Sequence, residues 1–224
     1  MLARRRERLD EAAREAGADA LPVVCDVTDE SSCSAAIEEA AAGLGGVDAL
    51  LYAPAIGPLA HLADVDTETW QRVFATNVTG AARVTAAALP HLEAAAGTVA
   101  YLSSVSASLT PPWPGLGAYI VSKAALDKLV EAWRAEHPRV AFTRLVVGDC
   151  AGGEGHSQTE FNSGWDPDLA AEFATGWISR GLISGSLIAV EELVTAVDAV
   201  LRGGASLSLP SVTVAPRPAG APPA

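Results

Sequence analysis

The sequence predicts an α/β fold built on a parallel β-sheet, and three observations support this prediction. Short apolar runs alternate along the chain with longer segments in which apolar residues recur every three or four positions. The short runs are apolar throughout, as strands buried on both faces of a sheet are. Glycine or proline stands at the ends of several of these segments, such as Gly17, Gly43 and Pro54. This alternation is typical of parallel sheets with crossover helices.

The first quarter of the chain contains two predicted helices and two predicted strands. In chain order they are a helix over 4–16, a strand over 21–25, a helix from Thr28 or Asp29 to Ala42, and a strand over 47–52. The first helix is amphipathic, with its inward positions at Leu9, Ala12, Ala13 and Ala16. Gly17 and Gly43 are expected to lie just beyond the two helices.

The rest of the chain continues the alternation of strands and helices. A helical region begins at Asp66 or Thr67, is kinked near Asn77 and ends near Ala88. The elements that follow are a strand over 99–102, a helix from Gly117, a strand over 140–147, helical patterns over 168–180 and 190–201, and a strand over 211–214. We expect one domain over 1–214 and a disordered Pro/Ala-rich tail over 215–224.

Composition and charge limit the function. The 224 residues carry a net charge of −12, which argues against nucleic-acid or acidic-membrane partners. The basic start lacks the apolar core of a signal peptide, and the sequence has no long uncharged apolar run that would span a membrane. Three scattered cysteines predict neither a disulfide framework nor a zinc site, and the isolated histidines predict no metal site. We therefore expect a cytoplasmic protein.

A group of polar residues lies where the central strand passes into the longest helix. Ser103 and Ser104 follow the predicted strand 99–102, at the end where parallel sheets place their ligands. Tyr119 and Lys123 lie four residues apart, on one face near the start of the next helix. The sequence has only three tyrosines and two lysines, which makes a chance pairing uncommon. A phenol, an ammonium and a hydroxyl are therefore predicted to converge.

Several phrases together resemble the short-chain dehydrogenase/reductase family. They are Asp26-Val27-Thr28-Asp29, Trp70 to Gly80 with Asn77-Val78-Thr79-Gly80, Leu89-Pro90-His91, Ser103-Ser104-Val105-Ser106 and Tyr119 to Leu126. The resemblance extends over about 2–216, nearly the whole chain. It implies a doubly wound parallel sheet of the Rossmann type.

The resemblance also assigns catalytic roles. It implies that Tyr119 is the general acid or base and that Lys123 lowers the pKa of this phenol and holds the nicotinamide ribose. Ser104 would hydrogen-bond the substrate oxygen, although Ser106 lies closer to the family's usual spacing from the tyrosine. Asn77 would hold a water that links Lys123 to solvent, or it serves only to satisfy backbone groups at a helix kink.

The resemblance further implies a nicotinamide cofactor. Asp26 matches the aspartate that contacts the adenine ring, although it would equally cap the following turn. Arg4 and Arg5 fall where the family places a basic residue for the 2′-phosphate, which favours NADP(H) over NAD(H) unless they are only a solvated helix face. The chain departs from the family at Tyr52-Ala53-Pro54-Ala55 and at Gly148-Asp149, where cofactor contacts are in doubt.

The family's Gly-rich phosphate loop, T-G-x-x-x-G-x-G, has no counterpart in the sequence. By resemblance the chain begins at the end of the family's second strand. The strands at 21–25 and 47–52 would then lack a shared neighbour. Either they pair directly, or the chain is a fragment of a longer product, which we favour. We accordingly expect residues 1–224 alone to bind NADP(H) and NAD(H) weakly or not at all.

Two classes of function follow. The first is an NAD(P)-dependent oxidoreductase of a small-molecule alcohol or ketone, and an epimerase or dehydratase would use the same Tyr-Lys pair. The second is a non-catalytic remnant that acts at most as a binding or oligomer subunit. By resemblance we expect a homo-oligomer formed through the helices around 77–88 and 117–136. The aromatic residues within 152–187 favour an apolar lid over the substrate.

Overall fold

The computed structural model of the chain describes residues 1–152, 161–183, 185–204 and 206–217. Strands and helices alternate through these ranges. The elements are β1 (Leu2–Ala3), α1 (Arg6–Ala16), β2 (Val23–Val24), α2 (Glu30–Leu44), β3 (Ala49–Tyr52), α3 (Thr67–Phe74), α4 (Ala81–Ala95), β4 (Thr98–Ser104), α5 (Val105–Ser108), α6 (Gly117–Glu136), β5 (Ala141–Val147), α7 (Pro167–Ser179), α8 (Val190–Leu201) and β6 (Ser211–Val214). A 3₁₀ turn at Leu62–Asp64 precedes α3, and a π-helical turn at Ala75–Gly80 joins α3 to α4.

All the strand pairs are parallel, but they form two separate sheets. Strands β3, β4, β5 and β6 lie side by side in that order. Strand β1 pairs with β2, placing Leu2 opposite Val23 and Ala3 opposite Val24. Over the described ranges no strand pairing links the two sheets. The alternative in which the strands at 21–25 and 47–52 pair directly is therefore wrong.

Helices cover both faces of the four-stranded sheet. Along β4, Val99 and Tyr101 face α4 and α6 in one core, which also contains Phe142 of β5. Ala100 and Leu102 face the opposite way and pack with α8. Neighbouring residues of a strand point to opposite faces, so this split requires a sheet that is buried on both sides. The doubly wound α/β fold is confirmed.

The helix ends differ from the prediction where a glycine serves packing rather than termination. Gly43 lies inside α2, and a β-carbon at Gly43 would come within 2.5 Å of the Leu21 side chain. The helix ends instead at Gly45, whose φ of 82° is left-handed. In α1, Leu9 and Ala13 are buried as predicted, whereas Ala16 is exposed. The short helix α5 was not predicted.

Two further differences bear on the site. Strand β4 continues past Leu102 to Ser104, because Ser103 and Ser104 pair with Val146 and Val147 of β5. The predicted kink near Asn77 is the π-helical turn Ala75–Gly80, a feature that is frequent at functional sites. The predicted disordered tail lies, from residue 218 onward, outside the described residues.

Candidate functional site

A cavity of about 1160 Å³ opens at the carboxyl ends of β1, β3 and β4. Its walls come from the segments that follow these strands, from α3, from the start of α6 and from residues 161–165. Tyr119, Lys123 and Arg4 all line it. Parallel sheets place their ligands at this end of the strands, so the cavity is the candidate site.

Tyr119 and Lys123 lie on one face of the first two turns of α6, as predicted. The Lys123 Nζ lies 5.7 Å from the centroid of the Tyr119 ring and donates a hydrogen bond to the Leu102 carbonyl at 2.5 Å. Burial lowers the pKa of Lys123 to about 8, and the Asp127 carboxylate opposes that change. The ammonium is therefore held at the end of β4 and can lose its proton near neutral pH.

The surroundings of Tyr119 favour the protonated phenol. Burial raises the pKa of Tyr119 to about 12, and a hydrogen bond with Ser104 lowers it only in part. The Phe161 ring contacts the Tyr119 ring edge-on, with their centroids 4.9 Å apart. Burial and the Ser104 hydroxyl are the two influences on the pKa of this phenol, and the expected effect of Lys123 on it stays a prediction.

The two candidate serines contact one another. Ser104 ends β4, and its Oγ accepts a hydrogen bond from the Ser106 backbone N–H. The two hydroxyls lie 2.8 Å apart, and Ser106 is the more buried. The Ser104 hydroxyl lowers the pKa of Tyr119 in part, and the choice between Ser104 and Ser106 as the serine that binds substrate stays a prediction.

Asn77 is fully buried in the π-helical turn, and its side chain is hydrogen-bonded at both ends. Its Oδ1 accepts from the Ile56 N–H at 2.8 Å, and its Nδ2 donates to the Ile56 carbonyl and the Ser122 Oγ, each at 2.9 Å. These bonds fix the segment after β3 against α6. The backbone-satisfying role of Asn77 is thus visible, while its role in binding a water stays a prediction.

The predicted adenine and 2′-phosphate contacts, Asp26 and Arg4, follow the two strands of the smaller sheet. Asp26 follows β2, and its Oδ1 accepts from the N–H and the Oγ1 of Thr28 at 2.9 and 2.7 Å. These bonds lower the pKa of the Asp26 carboxyl and stabilise the turn before α2. Asp29, one of the two predicted caps, caps α2 by accepting from the Ser32 N–H. Thr28 and Arg4 line the cavity.

The cavity is positively charged in a strongly acidic protein. Of the described residues that line it, four are cationic and none is acidic, although the whole chain carries a net charge of −12. The cations are Arg4, Arg5, Arg72 and Lys123. A concave surface with charges of one sign concentrates ligands of the opposite sign. The cavity therefore suits an anion.

Residues 1–151 match the protein-family model described as short chain dehydrogenase. The chain belongs to the short chain dehydrogenase family. It is 37% identical over 142 residues to a short chain dehydrogenase of Pseudocercospora fijiensis, covering 60% of this chain and 45% of that protein. It is 34% identical over 129 residues to an inactive 2-(S)-hydroxypropyl-CoM dehydrogenase 2 of Xanthobacter autotrophicus, covering 57% of this chain and 55% of that protein. The chain spans about half the length of these curated relatives.

The fold is shared with solved structures of short-chain dehydrogenases. The alcohol dehydrogenase of the archaeon Thermococcus sibiricus, complexed with 5-hydroxy-NADP, superimposes with a TM-score of 0.77. The superposition covers 100% of this chain and 86% of that chain at 20% sequence identity. The similarity establishes the shared fold.

Two features of the family member were not anticipated from its sequence. Tyr52, at the family's asparagine position, donates a hydrogen bond to the Thr76 carbonyl at 2.5 Å. A β-carbon at Gly80 would lie 2.6 Å from that tyrosine hydroxyl and 3.0 Å from the Val27 carbonyl oxygen, which explains the glycine. Asp127, a buried carboxylate one turn beyond Lys123, was also missed. Its four-residue spacing from Lys123 was the available signal.

The described residues contain neither a membrane-spanning helix nor a metal-binding cluster. Over the described part of the chain, no helix is both long and apolar enough to cross a membrane. The same residues contain no group of three or more histidine, cysteine, aspartate or glutamate side chains that could hold a metal ion.

Proposed function

We propose that the protein is an NAD(P)-dependent oxidoreductase that transfers a hydride between the nicotinamide and a small alcohol or ketone. The observation that carries this proposal is the placement of Tyr119 and Lys123 in one cationic cavity at the end of β4, in a chain of the short chain dehydrogenase family. Tyr119 is the general acid or base, Lys123 holds its charge beside the phenol, and Ser104 hydrogen-bonds the substrate oxygen.

The electrostatics favour ketone reduction as the direction to test first. Burial keeps the Tyr119 phenol protonated at neutral pH, so its Oη–H can donate to the oxygen of a carbonyl as that oxygen becomes an alkoxide. Ser104 lies beside the same phenol and would donate to the same oxygen. Bound nicotinamide would supply the hydride. The Lys123 ammonium stabilises the phenolate that remains after the proton has left.

The residues of the cavity fit an anionic dinucleotide in charge. Arg4 and Arg5 would hold a 2′-phosphate, since guanidinium groups pair with phosphate through two hydrogen bonds, and this favours NADP(H). The complex of the Thermococcus sibiricus enzyme with 5-hydroxy-NADP supports the same cofactor class. Lys123 would hold the nicotinamide ribose, Asp26 would contact the adenine, and Asn77 would hold the water of the proton path.

The aromatic residues around Tyr119 favour a substrate with an apolar body. Phe161 contacts Tyr119 and lies 5.6 Å, centroid to centroid, from Trp165. Both rings line the cavity, and the Trp165 Nε1 is occupied by a hydrogen bond to the Gly57 carbonyl. These rings present apolar surface beside the proposed acid. A cyclic or aromatic ketone would bury its ring there.

A non-catalytic binding or oligomer subunit is the second candidate function. It is favoured by the separation of the two sheets, because the cofactor residues Arg4 and Asp26 belong to a sheet of only two short strands. The replacement of the family's Asn-Asn-Ala-Gly by Tyr52-Ala53-Pro54-Ala55 points the same way. The relative from Xanthobacter autotrophicus that is named inactive provides a precedent for such a protein.

Calorimetric titration followed by a turnover assay separates the two candidates. Purified folded protein is titrated with NADPH and NADH, and then supplied with a panel of cyclic and aromatic ketones while nicotinamide absorbance is recorded. Saturable NADPH binding with turnover that Tyr119→Phe removes supports the oxidoreductase. If Tyr119→Phe retains both NADPH binding and turnover, Tyr119 is not the acid. A lack of binding at millimolar NADPH and NADH supports the non-catalytic subunit.

A further inference from the structure

A cluster of buried and half-buried polar groups lies on the side of Lys123 away from Tyr119. It contains Asp127 on α6, Ser103 on β4 and Arg144 on β5. Asp127 is only 5% exposed and Lys123 only 2%. The two residues are four positions apart on the same helix, which places them on one face as neighbours. The cationic end of the proposed Tyr-Lys pair is therefore followed directly by a buried carboxylate.

Arg144 holds this carboxylate from the neighbouring strand. Its Nη1 donates to the Asp127 Oδ2 at 3.4 Å, its Nε donates to the Ser211 Oγ at 3.1 Å, and Nη1 lies 3.8 Å from the Glu131 Oε1. The other carboxylate oxygen, Asp127 Oδ1, is buried and makes no hydrogen bond to the described residues. The Ser103 hydroxyl is also buried and makes no hydrogen bond to the described residues. Arg144 hydrogen-bonds only one of the two carboxylate oxygens, so part of the negative charge of Asp127 remains available to act on other groups.

The pKa of Asp127 is raised overall, because burial outweighs the groups that oppose it, and Glu131 on the same helix raises it further. Ser103, Arg144 and Lys123 lower it. The Ser103 hydroxyl acts from nearby without meeting hydrogen-bonding geometry. Arg144 and Lys123 are thus the cations that favour the ionised carboxylate against the cost of burial.

We propose that Asp127 is a positioning residue for the Tyr119–Lys123 pair. Its buried carboxylate, one helical turn beyond Lys123, keeps the Lys123 ammonium charged, and Arg144 limits how much of that charge Lys123 receives. The coupling between the side chains is a property of the folded chain alone. Its meaning for turnover rests on the proposed oxidoreductase function.

The proposal explains how a buried ammonium remains useful at neutral pH. Removal from water lowers the pKa of Lys123 to about 8, and Asp127 is the charged group that raises it. Without this carboxylate the ammonium would lose its proton at lower pH. Tyr119 would then release its own proton with no cation beside it to stabilise the phenolate. Asp127 thus acts on the chemistry through Lys123, without contact with the reacting atoms.

The small number of lysines makes a direct measurement practical. The chain has two, Lys123 and Lys128, and Lys128 is largely exposed in an ion pair with Glu131. In protein labelled with ¹³C at the lysine ε-carbon, the substitution Lys128→Arg leaves Lys123 as the single labelled lysine. The pH midpoint of that signal is then measured in five backgrounds: unchanged, Asp127→Asn, Asp127→Glu, Arg144→Gln and Glu131→Gln.

We expect the variants to shift the midpoint in opposite directions. Asp127→Asn should lower it by about one pH unit, since a charge one turn away in a partly shielded interior is worth about that much. Asp127→Glu keeps the negative charge and should restore the midpoint. Arg144→Gln should raise it, because one cation has been removed and Asp127 is left to Lys123. Glu131→Gln, on the exposed rim of the cluster, should change it least.

Midpoints that remain unchanged in both Asp127→Asn and Arg144→Gln overturn the proposal. A shift of the same sign in both variants also overturns it, because that would indicate a general change in packing. If Asp127→Asn does not fold, the sign of the Arg144→Gln shift decides. The titration needs neither cofactor nor substrate, so a protein without turnover can still pass or fail it. Where turnover is present, Asp127→Asn should also move the alkaline limb of the rate profile to lower pH.

Discussion

The two sheets of the protein differ in how completely their surroundings fix them. The four-stranded sheet is covered by helices on both faces, and its central residues Tyr101, Phe142 and Leu145 are fully buried. The sheet of β1 and β2 pairs only two residues per strand, and Val24 in it is 45% exposed. The proposed acid and its lysine belong to the first region, and the proposed phosphate-binding arginines to the second.

This difference separates the proposed acid and its lysine from the arginines proposed to bind the cofactor phosphate. Tyr119 and Lys123 lie on a long helix packed against β4 and β5, so their positions are set by a large core. Arg4 follows a strand of two residues and is exposed. A side chain of this kind must be ordered before it can hold a ligand, and that ordering opposes binding. The predictions below test the contrast, beginning with the largest expected effect.

The first prediction concerns the acid in the well-packed region. Tyr119→Phe removes the proton donor while leaving the ring and its contact with Phe161 in place. In protein that binds cofactor and turns over, the rate should fall by about 10³-fold or more, with NADPH affinity nearly unchanged. Steady-state kinetics and calorimetry measure the two quantities. Turnover that survives within about tenfold removes Tyr119 from the role of acid or base.

The second prediction compares the cores of the two sheets. Phe142→Ala should lower the free energy of unfolding by about 3–5 kcal/mol, since the side chain is fully buried between β4 and α6. Leu2→Ala in β1 should lower it by less than about 1 kcal/mol, because Leu2 is only partly buried at the edge of the core. Urea unfolding measures both. Equal effects would show that the small sheet is as firmly built as the large one.

The third prediction uses the buried ammonium. The folded-state pKa of Lys123 is lowered to about 8, below the ordinary lysine value of 10.5, so between these values the unfolded chain binds more protons than the folded one. Lys123 should therefore contribute roughly 1–2 kcal/mol more stability near pH 10 than near pH 8. The three cysteines, whose pKa values are raised by burial, act in the opposite direction over the same window, so the test is a difference between two proteins. Lys123→Met removes only the lysine contribution, and urea unfolding should show that the stability of the original chain relative to Lys123→Met increases across the window. Parallel curves of unfolding free energy against pH for the two proteins would contradict this prediction.

The smallest effect is expected in the two-stranded region. Arg4→Gln should weaken NADPH binding by about fivefold and NADH binding less, since one guanidinium contact to an exposed phosphate is worth about 1 kcal/mol. Arg6→Gln is the matched control, because Arg6 pairs with Asp10 on α1 and does not line the cavity. Equal losses for NADPH and NADH would place Arg4 away from the 2′-phosphate.

Sequence alone determined the alternation of strands and helices, the parallel sheet and the helix that carries Tyr119 and Lys123. Apolar periodicity and the four-residue spacing are local, so they can be read from neighbouring residues. The strand Ser211–Val214 and the helix Val190–Leu201 were predicted with the bounds observed. The missed end of β4 shows the limit, because Ser103 and Ser104 extend the strand only through pairing with β5.

Tertiary structure decided what depends on contacts between distant segments. Gly43 was predicted to end a helix, but the approach of Leu21 requires a glycine inside α2, and no local pattern indicates that approach. The pKa values of Tyr119 and Lys123 are governed by burial, which comes from packing across the sheet. Arg144 hydrogen-bonds the buried Asp127 carboxylate only because β5 packs beside α6. Local sequence fixes which face of a helix a side chain shares, but only the assembled core determines its loss of water and its charged neighbours.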